Sequence, residues 1–169
     1  MLTNDLLRSK FQSGLAFDAY VATGTPDQQS KWRDFHARVK LTDPQRSLIA
    51  GFTRQVNILI ISGTWCGDCV QQVPMFDHIE RANPGKVALR VVDRDKNLDL
   101  AEPLTICSGL RVPTVLMLNE DFDFCSVMGD RRLPPPSWAP HARCPARRCP
   151  LMRSRRRCRT GSTSWSVCS

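Results

Sequence analysis

The feature that most constrains this chain is an apolar run that ends at two cysteines. Val56-Asn57-Ile58-Leu59-Ile60-Ile61 is rich in β-branched residues and nearly continuous in apolar character, the pattern of a strand covered on both faces. Ser62-Gly63-Thr64 breaks it, and Trp65-Cys66-Gly67-Asp68-Cys69 follows at once. From position 66 to about 82, Val70, Val73, Phe76, Ile79 and Glu80 track one side of a helix. Pro74 lies inside that helix and should kink it. Asn83-Pro84-Gly85 ends it, and 87–92 reads as a second strand. Strand, helix, strand in that order predicts a parallel βαβ unit.

Two cysteines with two residues between them, at a helix start, form a redox device. The spacing lets both sulfurs meet within one helical turn and close a small disulfide ring. Cys66 stands at the helix N-terminus, where unpaired N–H groups and the helix dipole favour a thiolate. That placement is expected to hold its pKa below the ordinary ~8.5. Cys66 is the expected nucleophile toward a substrate disulfide. Cys69 is the expected resolving thiol, attacking the mixed disulfide and freeing the reduced product. Gly67 and Asp68 modulate this chemistry: Asp68 adds negative charge beside both sulfurs and should oppose thiolate formation. The competing reading is half of a zinc site, which needs a second pair of ligands. His78 lies nine residues beyond Cys69, and no second CxxC exists.

The remaining elements follow from local signals. Thr25-Pro26-Asp27 is a helix start, with Trp32, Phe35 and Val39 as its apolar stripe. Thr42-Asp43-Pro44-Gln45 is a second start with capping-box spacing, its expected buried face being Leu48, Ile49 and Phe52. A further helix is expected among Leu6, Leu7, Phe11, Leu15 and Phe17. After the βαβ unit come a short helix over 98–108 containing Pro103, a strand over 114–118 and a strand over 122–128, the last two forming an antiparallel hairpin.

These residues resemble the thioredoxin family over about 55–130. Trp65-Cys66-Gly67-Asp68-Cys69 looks like the family's WCGPC motif with Asp68 in place of proline. Pro74 falls where the family's helix-kinking proline does. Arg111-Val112-Pro113-Thr114 looks like its cis-proline loop, and Gly129 like the glycine after its last strand. The resemblance implies a thioredoxin-like α/β fold with dithiol–disulfide exchange on protein or small-thiol disulfides. It implies Val112, Pro113 and Thr114 as a substrate-docking loop facing the sulfurs. Trp65 reads equally as a substrate-contacting lid or as local packing. No cofactor and no metal are implied, and electrons would come from a reductase or a low-molecular-weight thiol. Two departures stand out. Ile60 occupies the position of the family's buried aspartate, and Val91 falls near that of its partner lysine. Proton transfer at Cys69 is then left to water, Asp68 or another group. Residues 1–54 exceed the single strand and helix that usually precede the motif strand. The closest fit is a bacterial thioredoxin-like family with a helical N-terminal extension.

Other polar and sulfur-bearing residues have plainer readings. Cys107 and Cys125 are expected in the core, as small hydrophobes. His36 is expected on a solvated helix face. Asp93 and Asp95 could suggest a metal pair, but a turn after a strand wants such residues anyway.

Charge divides the chain. The net +8 is the sum of ten Arg and no acid in 131–169 with fourteen Lys and Arg against sixteen Asp and Glu in 1–130. Pro134-Pro135-Pro136 opens an Arg/Pro/Cys/Ser segment without apolar periodicity, expected to be disordered. It reads as a nucleic-acid-binding arm, as a metal site from His141, Cys144, Cys149, Cys158 and Cys168, or as a frame-shifted sequence. The spacings do not match zinc modules. The third reading is preferred, because a thioredoxin needs a final helix and this segment cannot supply one. Codons for 133–169 can be chosen so that a shifted frame reads without a stop into an acid-rich amphipathic helix. An intact Arg-rich frame in several isolates would refute it. The expected organisation is thus a helical extension over 1–54, a thioredoxin-like domain over 55–130 and a basic tail over 131–169. No run is long enough to span a bilayer and no secretory signal is apparent, so a cytoplasmic location is expected by default. Two rivals remain: a thioredoxin-fold binding module without turnover, and an inactive product whose tail binds nucleic acid.

Overall fold

The computed structural model describes residues 2–106 and 109–129. Four helices precede the first strand: α1 (Asn4–Ser13), α2 (Phe17–Val21), α3 (Pro26–Arg38) and α4 (Asp43–Ala50). Helix α3 begins as its sequence predicts. Thr25 Oγ1 accepts the Gln28 N–H at 3.4 Å, and Gln28 Oε1 accepts the Thr25 N–H at 3.0 Å, around Pro26 in the first turn. At α4, Gln45 Oε1 likewise accepts the Thr42 N–H at 2.9 Å.

Strand β1 (Val56–Ser62) leads into α5 (Gly67–Ala82), which contains Pro74, and then β2 (Val87–Asp93). A short helix α6 (Leu98–Ala101), a 3-10 turn (Glu102–Leu104), β3 (Thr114–Leu118) and β4 (Phe124–Met128) complete the described order. The sheet order is β2-β1-β3-β4. β1 pairs parallel with β2, with Ser62 opposite Asp93, and antiparallel with β3. β3 and β4 form the expected antiparallel hairpin. β1 therefore lies inside the sheet, and every residue of it after Val56 is buried. Its side chains alternate in direction, so Ile58, Ile60 and Ser62 share one face and Leu59 and Ile61 the other. Asn57 is the polar exception; its Nδ2 donates to the Asn119 carbonyl at 2.8 Å, tying β1 to the turn that joins β3 and β4.

The helices before β1 contribute to the core. Leu7, Phe11, Phe17, Tyr20, Val21 and Trp32 join the same buried cluster as Leu59, Ile60, Cys69, Val73 and Val91. Leu15 also makes a two-bond bridge to Val91 at the outer edge of β2 (2.9 and 2.8 Å). That bridge pairs the edge the strand would otherwise expose.

Several sequence expectations need correction. Of the proposed α4 face only Ile49 is buried; Leu48 is 69% exposed and Phe52 is at the surface. These side chains line an open apolar groove of about 380 Å³ with Val56, Ile58, Phe76 and Met117. Of the α3 stripe, Trp32 is fully buried, whereas Phe35 and Val39 are half-buried. The helix expected over 98–108 stops at Ala101 and tightens into the 3-10 turn at Pro103, which cannot supply an α-helical N–H. Cys125 is exposed, because β4 is the outer strand and the described residues leave its side chains to solvent. His36 is not solvated: it faces α5, pairs with buried Asp77 (Nε2–Oδ2 2.6 Å) and stacks on Phe17 and His78. Asp77 also receives Arg81 Nε at 2.6 Å. The readings of Cys107 and of 131–169 lie outside the described residues.

Candidate functional site

The two cysteines sit where β1 hands over to α5. Cys66 is the N-cap of α5, in extended backbone, and Cys69 is in the first turn. Both are free thiols; Cys66 is half-buried and Cys69 is wholly buried. The asymmetry follows from the helix start, which leaves its cap at the surface and turns its third residue toward the sheet. The Cys66 N–H is held by the Gly63 carbonyl at 3.0 Å, and the Cys66 carbonyl accepts the first α5 bond from Val70. Gly67 and Asp68 are exposed, and nothing crowds Gly67.

The expected docking loop stands opposite. The Cys66 thiol donates to the Val112 carbonyl at 3.5 Å, and the Val112–Pro113 peptide bond is cis. Val112, Pro113 and Thr114 have buried side chains. Thr114 Oγ1 donates to the Arg111 carbonyl at 2.9 Å, which fixes the loop's turn. The loop thus offers the sulfurs its backbone rather than its side chains.

Burial pushes the Cys69 thiol up to about 12, with further increases from the charge of and hydrogen bonding with Cys66. The Ser62 side chain and the Gly63 backbone act in the opposite direction. The ionisation of Cys69 thus depends on the state of Cys66.

Trp65 is 55% exposed, yet it is not loose. Its ring lies so close to Gly63 that a Cβ there would fall 2.8 Å from it. The Arg94 guanidinium covers it at 4.9 Å from the ring centre. Arg94 also donates its N–H to the Ser62 carbonyl at 2.9 Å and Nη1 to the Leu110 carbonyl at 3.3 Å. It links the end of β2, the tryptophan and the approach to Val112. Sequence reasoning missed Arg94. Parallel pairing of β1 and β2 was the available signal, since it sets the residue after β2 beside the loop after β1. It also missed Trp32, whose Nε1 donates to the Thr64 carbonyl at 3.0 Å, Tyr20, which shares a buried cluster with Cys69, and buried Ser62.

Asp93 serves its turn: its Oδ1 accepts the N–H groups of Asp95 and Lys96, while Asp95 pairs with Arg94. Among the described residues, no group of three or more His, Cys, Asp or Glu is placed to hold a metal ion. Nor is any helix among them long and apolar enough to cross a membrane.

The family profile described as thioredoxin matches residues 14–132. Two solved structures share the fold. A protein of unknown function from Pseudomonas aeruginosa is 23% identical, with TM-score 0.67 and coverage of 78% of each chain. An HIV epitope-scaffold is also 23% identical, with TM-score 0.66, covering 73% of this chain and 76% of that one. No curated protein matches the sequence significantly.

Proposed function

Because this chain belongs to the thioredoxin family, we propose that it is a dithiol–disulfide oxidoreductase whose working pair is Cys66 and Cys69. The observation that carries this reading is the pairing of a half-buried cysteine at the helix cap with a buried one turned inward. A cis-proline loop faces the outer sulfur at 3.5 Å. A nucleophile must be reachable, and a resolving thiol must be kept from the substrate until the mixed disulfide exists.

The Cys66 thiolate attacks one sulfur of a substrate disulfide. A Cys66–substrate disulfide forms and one substrate thiolate leaves. Cys69 then attacks Cys66 Sγ; the intramolecular disulfide forms and the second substrate thiolate departs. The substrate gains two electrons and two protons, and the protein dithiol is oxidised. A dithiol reductase or a low-molecular-weight thiol, as a cytoplasmic setting would supply, restores it. The backbone edge of Val112, Pro113 and Thr114 is the surface for an extended substrate, with Trp65 and Arg94 at its rim.

Insulin reduction by the full chain tests this, with Cys66→Ser as control. Turnover that disappears in the control supports the reading. Wild-type protein that binds a disulfide peptide without reducing it would instead make this a binding module. Alkylation of Cys66 across a glutathione redox series then gives the potential.

A further inference from the structure

Building on that redox reading, the site carries one more assignment. Two buried hydroxyls, one from α2 and one from the end of β1, lack a hydrogen-bond partner among the described residues. Ser62, the last residue of β1, and Tyr20, in α2, are both fully buried. Neither Ser62 Oγ nor Tyr20 Oη makes a well-aligned hydrogen bond among the described residues. Tyr20 and Cys69 share one buried cluster, Ser62 ends the strand that feeds the cysteine loop, and the Ser62 side chain acts to lower the Cys69 thiol's pKa. Buried, unpaired hydroxyls are costly and ask for an explanation.

We propose that Ser62 is a catalytic hydroxyl that donates to Cys69 Sγ as its thiolate forms, and that Tyr20 positions Ser62 by donating to its oxygen. A neutral thiol is a poor acceptor, so the chain of donors has little to bind in the resting dithiol. A thiolate is a strong one, and the interaction matures only as negative charge develops. The burial that disfavours the Cys69 anion is then partly offset from within the protein. In the step itself Cys69 Sγ bonds to Cys66 Sγ and the bond from Cys66 to the substrate sulfur breaks. The departing substrate thiolate takes up one proton, the equivalent of the one Cys69 lost. Ser62 and Tyr20 keep their own protons throughout.

The groups facing this pocket come from four elements. Tyr20 comes from α2, Ser62 from β1, Cys66 and Cys69 from the start of α5, and Asp93 from the end of β2. Asp93 is engaged by its turn N–H groups, and Asp68 points to solvent.

The test is single-turnover release of glutathione from full-length protein carrying a mixed disulfide on Cys66, followed against pH. Ser62→Ala should slow release about tenfold to a hundredfold, the range a hydrogen bond to a charged group commands, and move the pH midpoint upward. Tyr20→Phe should act in the same direction by less, and Ser62→Thr should restore release. Alkylation of Cys66 in the same variants should keep its wild-type pH profile. Wild-type release rate and midpoint in Ser62→Ala would overturn the assignment. Equal shifts at Cys66 and Cys69 would overturn it too, since they indicate a general disturbance of packing. Wild-type protein that never releases glutathione would instead sink the oxidoreductase reading on which the assignment stands.

Discussion

Replacing Trp32 by phenylalanine isolates what the N-terminal helices do for the site. Trp32 is fully buried in α3, packed edge-on to Tyr20 (ring centres 5.7 Å) and tilted against Phe17 (6.0 Å). Its Nε1 donates to the Thr64 carbonyl, one residue before Trp65 and two before Cys66. Phenylalanine keeps an aromatic ring but removes that donor and roughly two carbons' worth of buried surface. The lost apolar burial costs about 1.5 kcal/mol at ~0.8 kcal/mol per buried methylene. The lost hydrogen bond costs about 1 kcal/mol rather than more, because half-buried Thr64 can turn to water. The total of about 2.5 kcal/mol should lower the melting temperature by about 5–10 °C in a protein of this size. Differential scanning fluorimetry reads it, and Cys66 alkylation on the same samples should report a loosened loop as a changed rate. Trp65→Phe is the contrast: its ring is largely exposed and the change should fall within about 0.5 kcal/mol. If the two substitutions cost the same, or Trp32→Phe left both melting and Cys66 reactivity unchanged, the argument that α3 anchors the cysteine loop would fail.

Two further expectations follow from buried ionisable groups. Cys69 is raised from 9.0 to about 12 by burial, so between those values the folded state holds a proton the unfolded state has lost. The associated stability is intact below about pH 9 and declines as pH rises toward 12. Urea midpoints of the reduced protein should therefore fall with alkalinity, less steeply in Cys69→Ala; an equally steep fall would contradict this. Asp77→Ala removes the buried partner of His36 and Arg81. It should cost about 1.5–3 kcal/mol, largely through half-buried His36, since Arg81 is half-exposed and regains water. A thermal shift below about 2 °C would mean the cluster contributes little.

Much of the scaffold was legible because its signals are local. The run 56–61, the break at Ser62-Gly63-Thr64, Pro74 within α5 and the Thr25 capping box each set backbone conformation through near neighbours. The structure places these elements within a residue or two of expectation. Cys125 and His36 failed for the opposite reason. A cysteine in an apolar strand reads as core, but exposure depends on whether anything packs beyond the outer strand. A histidine among polar residues reads as solvated, but α5 brings Asp77 to it from 41 residues away.

The amino-acid sequence by itself determined that two thiols share the first turn of a helix fed by a buried strand, because two-residue spacing and the helix start are properties of adjacent residues. Tertiary structure alone decided which groups surround those thiols. Parallel pairing of β1 and β2 carried Arg94 to Trp65, and packing of the N-terminal helices set Trp32 against the loop and Tyr20 into the core with Cys69. No local pattern encodes such contacts, since burial and charge at one residue are created by segments folded against it from elsewhere in the chain.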